Sequence, residues 1–573
     1  MSQETYSVPE QAAGVFKTGI LENPLIAKSL PPEITECAAA IRFEGSETPS
    51  IPIIWRFAES ISALKALEAS MLNVLLVRKY GISPPRVIIN TDHAQLFFMS
   101  TLIFTIDPKG SALSLASLSS SEGRKAFEKC FPSWDKGNAF RDPYRVAATN
   151  IYQTQDKRFF HLHGSLNPDH TLRSLGMPLE GKAASSDEAI QPFIQAVGQK
   201  TAEELDRLEN EEYRQAGTIC YTSEEYFNTE HGKANAHVGL YELKEIKNSL
   251  QAPCWWTDNS QTSPKRPLGG LKVVDLTRII AAPAISRGLA ELGASVMRIT
   301  CPRLPDYSLL HQDLNWGKWN ACLDFTLEDD RKKMRQLILE ADVVVLGYRP
   351  GVLDKFGFDA DSIIRLCEGR DRGIVVVREN CYGWHGPWAG RSGWQQISDA
   401  CCGVSMEFGR AMGYDEPVTP VFPNSDYCTG VIGTVGVLDS LLRRAKDGGS
   451  YMINAALNYY SQWLVRSCGT YSRDVWDDLW ARNGNPKFRH YHTMGNMTPA
   501  FLGMMKRFHA DKLLRPEFFE ERHCRSIGYD IKTVKPVLQY PDGQVEPKYD
   551  KGTRTNGTDR PCWPEDLTSE FVL

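Results

Sequence analysis

Two hydrophobic rhythms divide the chain. Over residues 55–80 (WRFAESISALKALEASMLNVLLVRKY) apolar positions recur at helical spacing and stop at Gly81, which predicts a long amphipathic helix. VIINTDHAQLFFMSTLI follows and reads as a strand leading into a helix. Beyond Leu268 the rhythm changes. LKVVDL, SVMRIT, DVVVLGY and GIVVVREN are short apolar runs rich in β-branched residues. Helical stretches separate them: residues 284–292, closed by Gly293, and LEDDRKKMRQLILEA, whose acidic first turn suits the helix dipole. Such alternation predicts an α/β fold with a buried, Rossmann-like parallel sheet of βαβ units. No G-x-G-x-x-G follows the first strand, so a nicotinamide or flavin dinucleotide has no motif behind it.

The remaining segments set the expected organisation. Residues 1–48 are polar and Pro-rich, an arm that wraps another surface. Residues 49–150 hold the long helix and then a loop-like stretch with the low-complexity run SALSLASLSSSEG. Residues 151–247 form a small mixed unit, with RFFHLHG as a strand and one or two helices ending at Gly217. Residues 248–266, rich in Pro, Ser, Thr and Asn, are the linker; 267–470 form the large domain, and 471–573 a C-terminal segment.

Composition narrows the function classes. At 573 residues the chain is too long for one core. Its 42% hydrophobic and 24% charged residues are ordinary for a globular protein, and a net charge of -5 without charge blocks argues against nucleic acid as a partner. MSQETYSVPEQ lacks the basic and apolar regions of a signal peptide, and no uncharged apolar run nears membrane-spanning length. A cytoplasmic protein is expected, with the 14 scattered cysteines reduced. No cysteine or histidine spacing predicts a metal site; His161 and His163 share one face of a strand but lack a nearby carboxylate or cysteine pair.

Five segments then occur in a telling order: PLGGLKVVDLTRIIAAPAISRGLAELGASVMRI, NWGKWNACLDF, ADVVVLGYRPGVLDKFGF, YGWHGPWAG and SDYCTGVIGTVGVLDSLLRRAKDGGSYMINAAL. Together they resemble the class III CoA-transferases, the CaiB/BaiF family, between Pro267 and Leu457. The first half resembles the family more weakly and out of order. LKALEASMLNVLLVRKYGISPPRVIINTDHA is similar to a degraded copy of the last of these segments, with Glu59 and Ala63 where the intact copy has Asp426 and Gly430. RFFHLHG through TICYTSEE is similar to the family's small domain, and YPDGQVEPKYDKGTRTNGTDRPCW to its return segment. The resemblance implies a fused, rearranged pair of copies with one working site, either a monomer with pseudo-dimeric halves or a homodimer. The first-half copy is read as catalytically silent.

The family nucleophile is an Asp followed four residues later by Gly at a helix start, which resemblance places at Asp426. The residues agree with that position. Asn424 and Ser425 are natural N-caps, and Val431, Val435, Leu438 and Leu442 form an apolar helical face. Asp426 then falls in the first turn, where backbone N–H groups and the helix dipole are expected to keep it ionised. The resemblance implies coenzyme A held by the loop at Ile280 and Ala281 together with Arg303, Lys318, Tyr348 and Lys355, an acyl-CoA and a carboxylic acid as substrates, and no metal. Read alone, each basic residue is also compatible with a solvated surface charge.

The implied activity is acyl-CoA:carboxylate CoA transfer through an aspartyl mixed anhydride and an aspartyl-CoA thioester. α-Methylacyl-CoA racemases resemble the same fold but use a His–Asp pair where this chain has Trp394 and Gln395, which disfavours proton abstraction. Trp394 is either a wall of the acyl channel or a core aromatic. Cys428 lacks an evident histidine partner and reads as helix packing. The alternatives are a fold repurposed in a natural-product pathway as a cyclase, lyase or acyltransferase, or a pseudoenzyme.

Overall fold

A computed structural model describes residues 6–573; Met1–Thr5, the tip of the expected arm, lie outside the described residues. Where described, the arm is mostly helical and ends in a strand over Ile41–Glu44; its Val8–Phe16 helix packs on the Phe57–Tyr80 helix. That long helix is buried on every side rather than amphipathic, with Glu59, Lys65 and Glu68 all inside. Lys65 and Glu68 satisfy each other one turn apart at 2.7 Å. Its most apolar 18 residues average a hydropathy of 1.4, enough for a membrane span, yet 94% of that window is buried by the protein itself. The spacing rule fails because the helix is enclosed by neighbours on all faces.

Strands β1 (Ile41–Glu44) and β2 (Val87–Asn90) pair in parallel beside this helix. β3 (Thr105–Ile106) and β4 (Leu113–Ser114) form a hairpin, and the stretch expected to be loop also folds into the Ser121–Cys130 helix, capped by Ser120. The small unit is a three-stranded antiparallel sheet of β5 (Asn150–Gln153), β6 (Phe159–His163) and β7 (Ala216–Ile219). Gly217 lies inside β7 rather than closing a helix. A Cβ there would meet the Phe160 ring at 2.7 Å, so glycine lets β7 lie against β6.

β8 (Glu242–Ile246), which the sequence reading groups with the small unit, instead joins the large sheet. That sheet also contains β9 (Lys272–Thr277), β10 (Ser295–Thr300), β11 (Lys318–Cys322), β12 (Val343–Gly347), β13 (Val375–Asn380) and β14 (Ser450–Ala456). Its order is β11-β10-β9-β12-β13-β14-β8, parallel throughout except for β8. The 248–266 stretch is packed on the molecule: Trp256 is buried and its indole N–H donates to the Gly269 carbonyl at 2.8 Å.

In the C-terminal segment, β15 (Phe519–Cys524) and β16 (Tyr529–Val534) pair with each other, and β16 pairs with β3 of the first half. The chain then runs back beside β11, where Asp559 accepts from the Asn320 N–H and binds buried Arg554. First and last segments thus lock around one core.

Candidate active site

Asp426 is the third residue of the Asn424–Asp447 helix, which follows Pro423. Asn424 and Ser425 are therefore helical residues, not caps. Asn424 spends its amide on Tyr460 Oη, and Ser425 Oγ is buried without a partner among the described residues. This helix crosses the Ala281–Glu291 helix closely. A Cβ at Gly430 would lie 2.5 Å from the Ala284 Cβ, and one at Gly433 2.4 Å from Ile285. The spacing of Asp and Gly thus has a packing cause: Gly430 lies one turn beyond Asp426 and lets the helices approach where the carboxylate meets the loop at Ile280 and Ala281.

Asp426 opens on a cleft of about 300 Å³ whose walls come from two units. The large sheet supplies Ile280, Ala281, Tyr348, Glu379 and Asp426; the small unit supplies Ser165, Asn167 and Gln215. Parallel sheets place ligands at the carboxyl ends of their strands, and Tyr348 and Glu379 sit at the ends of β12 and β13. Trp394 joins the units: its ring stacks on His163 at 4.6 Å, and its indole N–H donates to Ser165 Oγ at 3.0 Å. It is both a cleft wall and a packed aromatic.

The electrostatics of Asp426 differ from expectation. Burial raises its pKa to about 8, and among the described residues no backbone N–H or side chain donates to its carboxyl group. The helix start does not offset the lost hydration. Glu379, which sequence reasoning missed, is also raised to about 8, first by burial and then by the charge of Asp426. Asp399, buried on the Gln395–Cys401 helix, is raised well above the usual range by burial, with Asp426 adding to it. No local pattern singles out Glu379 from Arg378 and Asn380 at the same strand end.

The basic residues rearrange the expected coenzyme contacts. Lys318 is fully buried and donates to Asp275 Oδ2 at 2.9 Å, the Pro283 carbonyl at 2.8 Å and Ser286 Oγ at 2.8 Å. It pins the start of the Ala281–Glu291 helix to β9 and cannot reach a ligand. Arg303 is exposed and pairs with Asp324 at 2.7 Å, and Lys355 is an exposed charge beside Phe356; neither lines the cleft. The cations that do line it are Arg278, Arg349 and Arg391. Arg278 stacks on Tyr348 at 4.8 Å. Among the described residues Arg349 donates only to neutral groups, the Arg214 carbonyl at 2.9 Å, Gln215 Oε1 at 3.1 Å and Ser165 Oγ at 3.4 Å. Arg391 is neutralised by Asp206 and Glu211.

The other candidates are inert here. Burial lowers His161 to about 4 and His163 further below the usual range, so both are neutral imidazoles in packing roles. Burial raises the Cys428 thiol, which donates to Asn424 Oδ1 at 3.5 Å.

The sequence model of CoA-transferase family III matches residues 268–486. Acetyl-coenzyme A transferase nodX of Hypoxylon pulicicidum is 52% identical over 569 residues, covering 99% of this chain and 95% of that protein. An acyl-CoA transferase of Gibberella moniliformis (strain M3125 / FGSC 7600) is 30% identical over 524 residues, covering 89% and 88%. A crystal structure of a CaiB/BaiF family protein from Brucella suis is 28% identical, covers 35% of this chain and 56% of that one, and superposes with a TM-score of 0.31. This chain belongs to CoA-transferase family III and is an enzyme of that class.

Proposed function

We propose that the protein is an acyl-CoA:carboxylate CoA-transferase whose covalent carrier is Asp426. The observation that carries this reading is a buried carboxyl group opening on a cleft with walls from both units of one chain. Asp426 attacks the acyl-CoA carbonyl carbon; the C–S bond breaks, giving a mixed anhydride and CoA thiolate. The thiolate attacks Cγ of Asp426, the donor acid leaves as its carboxylate, and an aspartyl-CoA thioester remains. The acceptor carboxylate attacks that Cγ and expels the thiolate, which then attacks the acceptor carbonyl and frees Asp426. The donor assigned is acetyl-CoA, following the name of the 52% identical relative.

Burial keeps water from the anhydride and thioester. Glu379, whose proton is held by burial and by the charge of ionised Asp426, donates a hydrogen bond to the oxyanion formed in each addition. Arg278 and Arg349 take the CoA phosphates, Tyr348 the adenine side, and the Ile280–Ala281 backbone the pantetheine arm. Because both walls belong to one chain, the working unit is a monomer with pseudo-dimeric halves.

The test is the mass of the intact protein after incubation with acetyl-CoA, followed by peptide mapping. An adduct of one CoA less water, on the peptide holding Asp426 and removable by hydroxylamine, is expected. Full turnover by Asp426→Ala would reject the proposal.

A further inference from the structure

Three side chains with metal-ligating atoms meet outside the cleft. The Nε2 of His385 lies 2.6 Å from Oε1 of Glu242, and the Nε2 of His237 lies 3.8 Å from the same oxygen. All three ligand atoms fall within 4.8 Å of one another. The residues come from separate places: His237 follows the small unit, Glu242 opens β8, and His385 sits in the turn after β13.

We infer that His237, Glu242 and His385 form a binding site for a zinc ion. Glu242 is oriented for it, since its other oxygen accepts from Tyr459 Oη at 2.9 Å and Asn454 Nδ2 at 3.4 Å, leaving Oε1 toward the two imidazoles. His385 is fixed through its backbone, its carbonyl accepting from Asn235 Nδ2 at 2.9 Å. Such outer contacts are what orient a metal ligand. An ion pair between His385 and Glu242 accounts for the short contact but not for His237. Its ring lies edge-on to His385 with centroids 4.8 Å apart. Two imidazole nitrogens and one carboxylate oxygen converge there, and one cation can be shared by all three.

Two imidazoles, one carboxylate and no thiol suit zinc, with a water completing the shell. Tetrahedral N and O ligands at about 2.0–2.1 Å from the metal stand roughly 3.4 Å apart. The observed spread needs movements of about 1 Å, and His237, 62% exposed, is free to make them. The neighbouring Arg378 guanidinium is engaged elsewhere, over Trp384 at 3.9 Å and on Asn454 Oδ1 at 2.9 Å.

The site fastens the turn between β13 and Trp394, both ends of which line the cleft. It is tested on the chelator-treated full chain with zinc alone. Wild type takes up one zinc equivalent more than His237→Ala or binds at least tenfold tighter, and its cobalt form shows a tetrahedral visible band that the variant lacks. Zinc also slows hydrogen exchange over residues 384–394 in wild type only. Equal zinc uptake and affinity in wild type and His237→Ala, as binding at exposed Cys562 would give, overturns the inference. So does an absence of stoichiometric binding at micromolar zinc. Loss in His385→Ala alone, with His237→Ala unchanged, also overturns it.

Discussion

Asp426 and Glu59 hold the same station on two packed helices of equal length: each is the third residue of a 24-residue helix, Asn424–Asp447 and Phe57–Tyr80. Their surroundings differ. Asp426 faces the cleft, whereas Glu59 is sealed, accepting from Tyr6 Oη and from Tyr471 Oη at 3.2 Å, with Arg56 4.0 Å away. Four residues on, Gly430 allows a close helix crossing and Ala63 stands in its counterpart. Glu59 is a buried anchor for the N-terminal segment.

That role sets the first expectation. Glu59→Ala strands two tyrosine hydroxyls and should lower stability by about 2–4 kcal/mol, read by denaturant unfolding. In wild type incubated with acetyl-CoA, the peptide holding Glu59 should carry no CoA adduct. A label there would mean that Glu59 also carries CoA.

Asp426→Asn should lower turnover on the order of 10³-fold or more, measured as CoA transfer from acetyl-CoA. It should also stabilise the protein. The folded-state pKa of Asp426 is about 8 against an ordinary 3.8, so the folded chain holds that proton more tightly than the unfolded chain. Stability is therefore lost as pH rises from about 4 toward 8. The variant lacks this loss. Its melting temperature should exceed wild type by about 1–3 °C at pH 8 and converge with it near pH 4.

Glu379 separates the limbs of the pH profile. Attack needs Asp426 ionised and the proposed donor Glu379 protonated, and both groups sit near 8. Wild-type kcat/KM should rise with pH as Asp426 ionises and fall above about 8 as Glu379 loses its proton. Glu379→Gln, which keeps an N–H donor, should retain activity within about tenfold and lose the falling limb, whereas Glu379→Ala should fall by about 10²-fold or more. An unchanged profile in Glu379→Gln would remove this residue from the mechanism.

Gly430→Ala places a methyl group against Ala284 in the closest part of the helix crossing. The helices must part, at a cost of about 1–3 kcal/mol. Because Asp426 rides on the displaced helix, kcat should fall more than KM changes.

The buried Lys318 network gives an opposite pattern. Lys318→Ala leaves Asp275 without its cation and should cost about 3–5 kcal/mol, visible as lost soluble yield or a lowered unfolding midpoint. Arg303→Ala and Lys355→Ala, both outside the cleft, should leave KM for acetyl-CoA within about twofold. Arg349→Ala should raise it, since Arg349 lines the cleft without a carboxylate partner.

Sequence reasoning located the four central strands of the large sheet and helices between them because local periodicity carries them; it reached Asp426 and Gly430 through the resemblance to the family's pattern. It misread the Phe57–Tyr80 helix as amphipathic because enclosure on all faces is a property of its neighbours. It mistook Gly217 for a helix end because a glycine that admits a facing ring looks the same in sequence as one that stops a helix. Glu379 was passed over because nothing local marks a strand end as facing a nucleophile from another element.

The sequence by itself determined the α/β architecture, the likeness to the CoA-transferases and the aspartate at the helix tip. The architecture follows from short-range chemistry, apolar runs and turn glycines, whereas the aspartate follows from the resemblance of its segment to the family's. Only the tertiary structure decided which basic groups face the cleft, that Lys318 is a buried pin, that β8 closes the large sheet, and that burial rather than the helix start governs the proton on Asp426. Those outcomes depend on desolvation and on contacts between residues hundreds of positions apart, and no local pattern encodes either.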